Sequence, residues 1–193
     1  IVGAQIGITL NCKDNSPLRA KINISGQRNT GKPIKLNTFV SSLEPLFKDK
    51  AFSKLSNDDK VSFLEAYWAS LKELFPKAFE SKEKPKVYGE KFGRRFSANI
   101  GKKSNKSEPV KEGERYLLLT ALGVYAVNRL AKDILNSFIS EGFDFRQAEL
   151  LKKKLEPLRS FEWEAQSSKL SALGGMKGVS KAYDLLCEAL TNS

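Results

Sequence analysis

Histidine is absent from this sequence. Its absence removes the usual general base of serine and cysteine hydrolases, so neither a Ser-His-Asp triad nor a Cys-His pair can be assembled within the chain. With Cys12 and Cys187 as the only soft ligands, the ordinary zinc sites are excluded too, and no metal site is expected. Two cysteines so far apart form no disulfide framework, which suits a reducing compartment and sets the expectation of a cytoplasmic protein. Long apolar runs are also missing. The longest, YLLLTALGVYAV at 116–127, is about half the length a bilayer span needs and reads as a buried core helix. No signal peptide is visible, and no membrane partner is expected.

Acidic residues are in short supply: 22 Asp and Glu stand against 33 Lys and Arg, a net charge of +11. An excess of that size points to a polyanionic partner, nucleic acid before an anionic membrane surface. The opening IVGAQIG has the form of the new N-terminus of an activated trypsin-like protease, but the missing histidine excludes that chemistry. Apolar content of 40% and charged content of 28% are ordinary for one globular domain with a real core.

Along the chain, the β-branched alternation of IVGAQIGITLNC predicts a strand, and NSPLRAKINI is compatible with a helix opened by Ser16 and Pro17 or with a second strand. Residues 1–35 are therefore expected as a strand and turn segment, a short β remnant. Residues 36–193 are expected as a compact helical domain, which makes the fold class mainly α. NTFVSSLEPLF predicts a short helix capped by Asn37 and bent or ended near Pro45. The next element is clearly patterned: Ser56 or Asn57 as cap, two aspartates in the first turn, then Val61, Leu64, Trp68, Leu71 and Phe75 at helical spacing, with Pro76 as the stop. This spacing assigns Trp68 to the core. Residues 77–113 are lysine-rich and broken by glycine and proline, and read as a flexible basic loop. A central helix is expected from Glu114 to a stop at Gly142, then a shorter amphipathic helix ended by Pro157, a loop, and a closing helix that contains Cys187 as a small buried hydrophobe.

Three stretches carry candidate chemistry. GQRNTGKP, residues 26–33, comes within one letter of a phosphate-binding loop, with Gly26, Gly31 and Lys32 in place. Pro33 stands where the Ser or Thr that holds Mg²⁺ belongs, and it lacks an N–H as well. The alternative is a plain turn between two elements. LGGMKGVSKAYD places Gly174, Gly175 and Gly178 ahead of a helix, where free N–H groups beside Lys177 would hold a phosphate; the alternative is a flexible lead into that helix. In KVYGEKFGRRFSANIGKK, Lys86, Lys91, Arg94, Arg95, Lys102 and Lys103 alternate with Tyr88, Phe92 and Phe96. Cations that neutralise phosphates, interleaved with rings that stack on unpaired bases, are what backbone-tracking nucleic-acid binders use. The competing reading is a solvated charged loop whose rings tuck into the core.

Three segments together resemble the DGQHR-domain proteins, which include DndB-like regulators of DNA phosphorothioate modification. INISGQRNTGKPIKLNTFVSSLEPLF matches through Ile22, Asn23, Lys32, Pro33 and Ile34; FLEAYWASLKELFPKAF through Phe75 and Pro76; and FEWEAQSSKLSALGGMKGVSKAYDLL through Phe161, Trp163 and the Gly-Gly turn. The resemblance covers most of this chain but only the C-terminal portion of a full member. The signature Asp-Gly-Gln-His-Arg is not present in a chain without histidine, so no catalytic residue is carried over. With the charge, the resemblance implies a DNA-associated regulatory or recognition module, non-catalytic in this segment, with DNA as the favoured nucleic acid; no cofactor is expected. Two alternatives stay open: a protein-interaction module of a DNA-modification or defence system, and a nucleotide-using enzyme fragment working through the degenerate phosphate loop.

Overall fold

The structure is a computed structural model that describes residues 2–27, 30–80, 116–165, 167, 169–170 and 173–191. It is mainly helical, with one short two-stranded sheet among the described residues. The order is α1 (Val2–Cys12), β1 (Ile22–Asn23), β2 (Ile34–Lys35), α2 (Leu36–Ser42), α3 (Glu44–Phe47), α4 (Lys50–Lys54), α5 (Asn57–Leu74), α6 (Pro76–Glu80), α7 (Ala121–Ser140), α8 (Ala148–Leu155), a 3₁₀ turn (Glu156–Ser160) and α9 (Gly175–Thr191).

The first element corrects the sequence reading, because residues 2–12 form a helix and not a strand. Gly3, Ile6, Gly7 and Leu10 recur at helical spacing and are buried. A Cβ built on Gly7 would stand 2.9 Å from Leu36 Cδ1, and one on Gly3 would stand 3.2 Å from Val40 Cγ1 and Phe47 Cε2. The two glycines let α1 lie close against α2 and α3, and that packing outweighs the strand preference of its isoleucines and valine. The β remnant is smaller and later than expected. β1 and β2 run parallel, with Ile22 opposite Ile34 and Asn23 opposite Lys35, and both isoleucines are buried.

α2 begins at Leu36, with Lys35 rather than Asn37 at the cap position and no side-chain cap bond. Pro45 falls in the first turn of α3, where its missing N–H costs nothing. The pattern from Ser56 is realised as α5: Ser56 Oγ accepts from the Asp59 amide at 3.1 Å, and Asp58 and Asp59 lie in the first turn. Removing that cap, Ser56→Ala, is expected to lower unfolding free energy by about 1 kcal/mol in a denaturant titration; an unchanged midpoint would show that the aspartates cap the helix without it. Lys60 is buried, yet its Nζ donates to Leu55 O at 2.7 Å and so closes the carbonyl end of α4.

Helix α6 extends further than expected, so residues 77–80 are helical and the basic stretch starts no earlier than 81. α7 starts at Ala121, after a non-helical turn at 117–120 whose Leu117 amide donates to Trp163 O at 2.7 Å. Its far end is a glycine stop. Gly142 has φ +74°, the Phe143 amide reaches Phe138 O at 2.9 Å, and the Phe138 and Phe143 rings meet edge-on at 6.0 Å.

The core is built around α5 and α7: α1 and α8 pack on α5, and α2, α3, α4 and α9 pack on α7. Tyr67, Trp68, Phe39, Phe52, Phe63 and Phe138 are all fully or almost fully buried in it. A polar thread runs through this centre. Tyr67 Oη donates to Val127 O at 2.8 Å, and Trp68 Nε1 donates to Asn128 Oδ1 at 3.2 Å. Asn128 Nδ2 donates to Ser42 Oγ at 2.7 Å, and Ser42 Oγ donates to Phe39 O at 2.6 Å. Trp68 is a core residue, as its spacing predicts. No helix among the described residues is long and apolar enough to cross a membrane.

Candidate functional site

The nine residues expected to bind nucleic acid, Lys86 to Lys103, lie outside the described residues. The two candidate phosphate-binding lysines, Lys32 and Lys177, belong to different elements. Lys32 is half-buried in the connection between β1 and β2, and Ile34 and Lys35 form a strand where a phosphate-binding loop opens a helix. Gly26 and Gly31 take left-handed φ values of +69° and +72° with open space around them, which is the geometry of a surface turn. Lys177 is exposed in the first turn of α9. That helix begins at Gly175 rather than Gly178, and the Gly178 amide is spent on Gly174 O at 3.1 Å.

Two grooves built from segments far apart in the sequence meet at the corner between α5 and α6. The first, of about 730 Å³, lies between the turn at 14–21 and the end of α5. Its cations are Arg19, Lys21 and Lys72. The turn that presents Arg19 and Lys21 is held by Asn11, whose carbonyl accepts from the Ala20 amide at 3.0 Å while its Oδ1 accepts from Ile22 N at 2.9 Å. Ala20 is left at φ +56°, a left-handed conformation that costs a non-glycine residue about 1 kcal/mol or more. Lys21 Nζ donates to Phe79 O at 2.6 Å, and burial, with Lys72 facing it, holds its pKa below the ordinary lysine value. Of the carboxylates in this lining, Asp14 pairs with Arg19 at 3.0 Å and Glu73 with Lys152 at 2.6 Å; Glu80 closes the end.

The second groove, of about 340 Å³, is aromatic. Phe75, Tyr116, Phe161 and Trp163 line it, with Lys77, Arg159 and Glu164 among its polar groups. Phe161 and Trp163 are tilted against each other at 4.8 Å, and Phe75 meets Trp163 edge-on at 6.1 Å. Arg159 is held by both oxygens of Glu156, at 2.5 and 3.1 Å. Trp163 Nε1 is a buried donor without a hydrogen-bond partner among the described residues. Glu73 and Pro76 belong to both linings, so the cationic and aromatic grooves are neighbours around one helix corner.

Most of these residues are inconspicuous in the sequence. Lys21 reads there only as a poor strand residue, and Phe75 and Pro76 only as a helix end. Phe161 and Trp163 carry a family resemblance with no role attached. The one available signal is the aromatic-x-Trp step; nothing in the linear order links it to Lys21, which lies about 140 residues away.

A further polar cluster joins α7 to α9. Tyr183 Oη donates to Asp133 Oδ2 at 2.5 Å, and the Arg129 guanidinium lies 4.0 Å from the Tyr183 ring centre. Burial and this carboxylate hold the phenol well above its usual range. Cys187 beside it is half-buried rather than fully buried, and burial pushes its thiol up, away from the reactive thiolate. The members bind one another, so this cluster is a helix seam. No group of three metal-ligating side chains occurs among the described residues. No family model, curated protein or solved structure matches the chain.

Proposed function

We propose that the protein is a DNA-associated regulatory or recognition module, non-catalytic in this segment, that grips the phosphate backbone through the basic stretch between α6 and Tyr116. One observation carries the reading: residues 81–115 hold eleven Lys and Arg against five Asp and Glu, a local net charge of +6 and more than half of the whole chain's +11. Tyr88, Phe92 and Phe96 are interleaved with these cations. Counterion release makes such a stretch a strong, sequence-independent binder of nucleic acid at low salt. The resemblance to DGQHR-domain, DndB-like proteins supports DNA over RNA, and the two unpaired cysteines suit the cytoplasm where such regulators work.

The test is fluorescence anisotropy on labelled DNAs of unrelated sequence over a range of salt. The double variant R94A/R95A is expected to bind all of them more weakly, with the salt slope reduced by about 1 for each phosphate that an arginine no longer neutralises. Equal binding by variant and parent, at low and moderate salt alike, would sink the role given to these arginines. No binding by the parent at low salt would sink the function itself.

A further inference from the structure

We infer that the two grooves at the α5–α6 corner form one binding surface for single-stranded nucleic acid, with phosphates held at Lys21 and Lys72 and an unpaired base seated on the Phe161 and Trp163 side. The inference deepens the DNA-associated reading and rests on it. It concerns described residues alone, and it names which form of nucleic acid the surface takes.

Three observations converge on it. The first is the charge arrangement in the larger groove. Lys21 and Lys72 face one another with no carboxylate paired to either among the described residues; of the three carboxylates in the same lining, Asp14 and Glu73 are engaged by Arg19 and Lys152, and Glu80 is the third. Like charges held together on a folded surface repel, and an oxyanion between them relieves that repulsion. Burial first, and repulsion from Lys72 second, lower the pKa of Lys21. The left-handed backbone at Ala20 holds this lysine in place, and strained backbone of that kind tends to cluster where ligands bind.

The second observation is the neighbouring aromatic lining. Cations without a paired carboxylate beside aromatic rings are the arrangement by which proteins hold single strands, because the backbone tracks the cations and each base has a face to stack. Phe161 and Tyr116 are half-buried in the lining of this groove, and the buried Trp163 beside them carries a donor that no described residue satisfies. Paired bases in a duplex are stacked on one another and cannot present a free face, so the aromatic half selects single strands. The third observation is position. Glu80, which precedes the basic stretch in the sequence, lines the larger groove, and Tyr116, which follows it, lines the aromatic one.

The experiment uses the full chain and three probes of equal length: single-stranded oligothymidylate, an abasic single strand with the same phosphates, and a mixed-sequence duplex. The parent is expected to bind oligothymidylate about tenfold more tightly than the abasic strand, from stacking of one base. Phe161→Leu should remove that preference and Phe161→Tyr should keep it, which separates stacking from a general loss of fold. The double variant K21Q/K72Q should weaken binding of both single strands and lower the salt slope by about 2. Circular dichroism melting of each variant checks that the domain is intact. Equal affinity for the thymidylate and abasic strands would overturn the base site, and an unchanged slope in K21Q/K72Q would overturn the phosphate site. Duplex binding that responds to R94A/R95A but not to K21Q/K72Q would leave the DNA-associated reading standing and end this inference. Absence of binding to all three probes would end both.

Discussion

Gly123→Ala is expected to destabilise the domain by about 4 kcal/mol, although the substitution improves helix propensity. In an exposed helix interior, alanine in place of glycine gains about 1 kcal/mol. Gly123 is not exposed: it lies in the first turn of α7, directly under the turn at 117–120. A Cβ there would stand 2.3 Å from Leu117 O, 2.4 Å from Leu118 O and 2.6 Å from Leu118 Cα. All three are backbone atoms, and the turn that carries them is anchored by the Leu117 amide on Trp163 O and by Thr120 Oγ1 on Leu117 O at 2.6 Å. Relief therefore requires moving the turn or tilting α7 at its most buried end. Steric cost exceeds propensity gain, and the sign of the effect decides between them. For a domain of this size the melting temperature should fall by roughly 8–16 °C. A rise in melting temperature would mean that the turn does not fold back over α7.

The second large effect is at Asn128, which is fully buried between α2, α5 and α7. Asn128→Ala removes the acceptor of Trp68 Nε1 and the donor to Ser42 Oγ, and it leaves a small cavity. An unsatisfied buried donor costs about 1–3 kcal/mol and the cavity adds to it, so a loss of about 3 kcal/mol is expected in denaturant unfolding. Lys48→Ala makes the contrast: it breaks an exposed ion pair with Glu44 at 3.5 Å and should change stability by less than about 0.5 kcal/mol. Asn128→Asp adds a test of sign. A carboxyl group buried there has its pKa raised by desolvation, so between the unfolded and folded pKa values the folded state binds more protons. Stability of this variant should therefore fall as pH rises above about 4, the unfolded value for Asp. A destabilisation independent of pH would show that water reaches the site.

The long helices were legible in the sequence because their signals are local. Ser56, Asp58 and Asp59 mark a start, Leu64, Trp68 and Leu71 mark a buried face, and Gly142 marks a stop, each within a few residues of the element it defines. The first helix was not legible. Its β-branched residues suit either periodicity, and the decisive fact is that Gly3 and Gly7 fit under Val40, Phe47 and Leu36. The true start of α7 was hidden for the same reason. Leu117 to Leu119 are apolar enough to continue the helix inward, but a hydrogen bond to the carbonyl of Trp163 holds them in a turn.

By itself the sequence determined that the chain is a mainly helical domain with an excess of positive charge, that histidine-dependent catalysis is closed to it, and that the charge is densest between residues 81 and 115. Composition and short-range periodicity suffice for those statements. Tertiary structure alone decided that Lys21 faces Lys72, that Phe161 and Trp163 lie around the corner from them, and that Asn128 joins Trp68 to Ser42. Each of these pairings closes a long loop whose ends have no local preference for one another. They form because burying Tyr67, Trp68 and Phe63 between the helices outweighs the entropy of closing those loops.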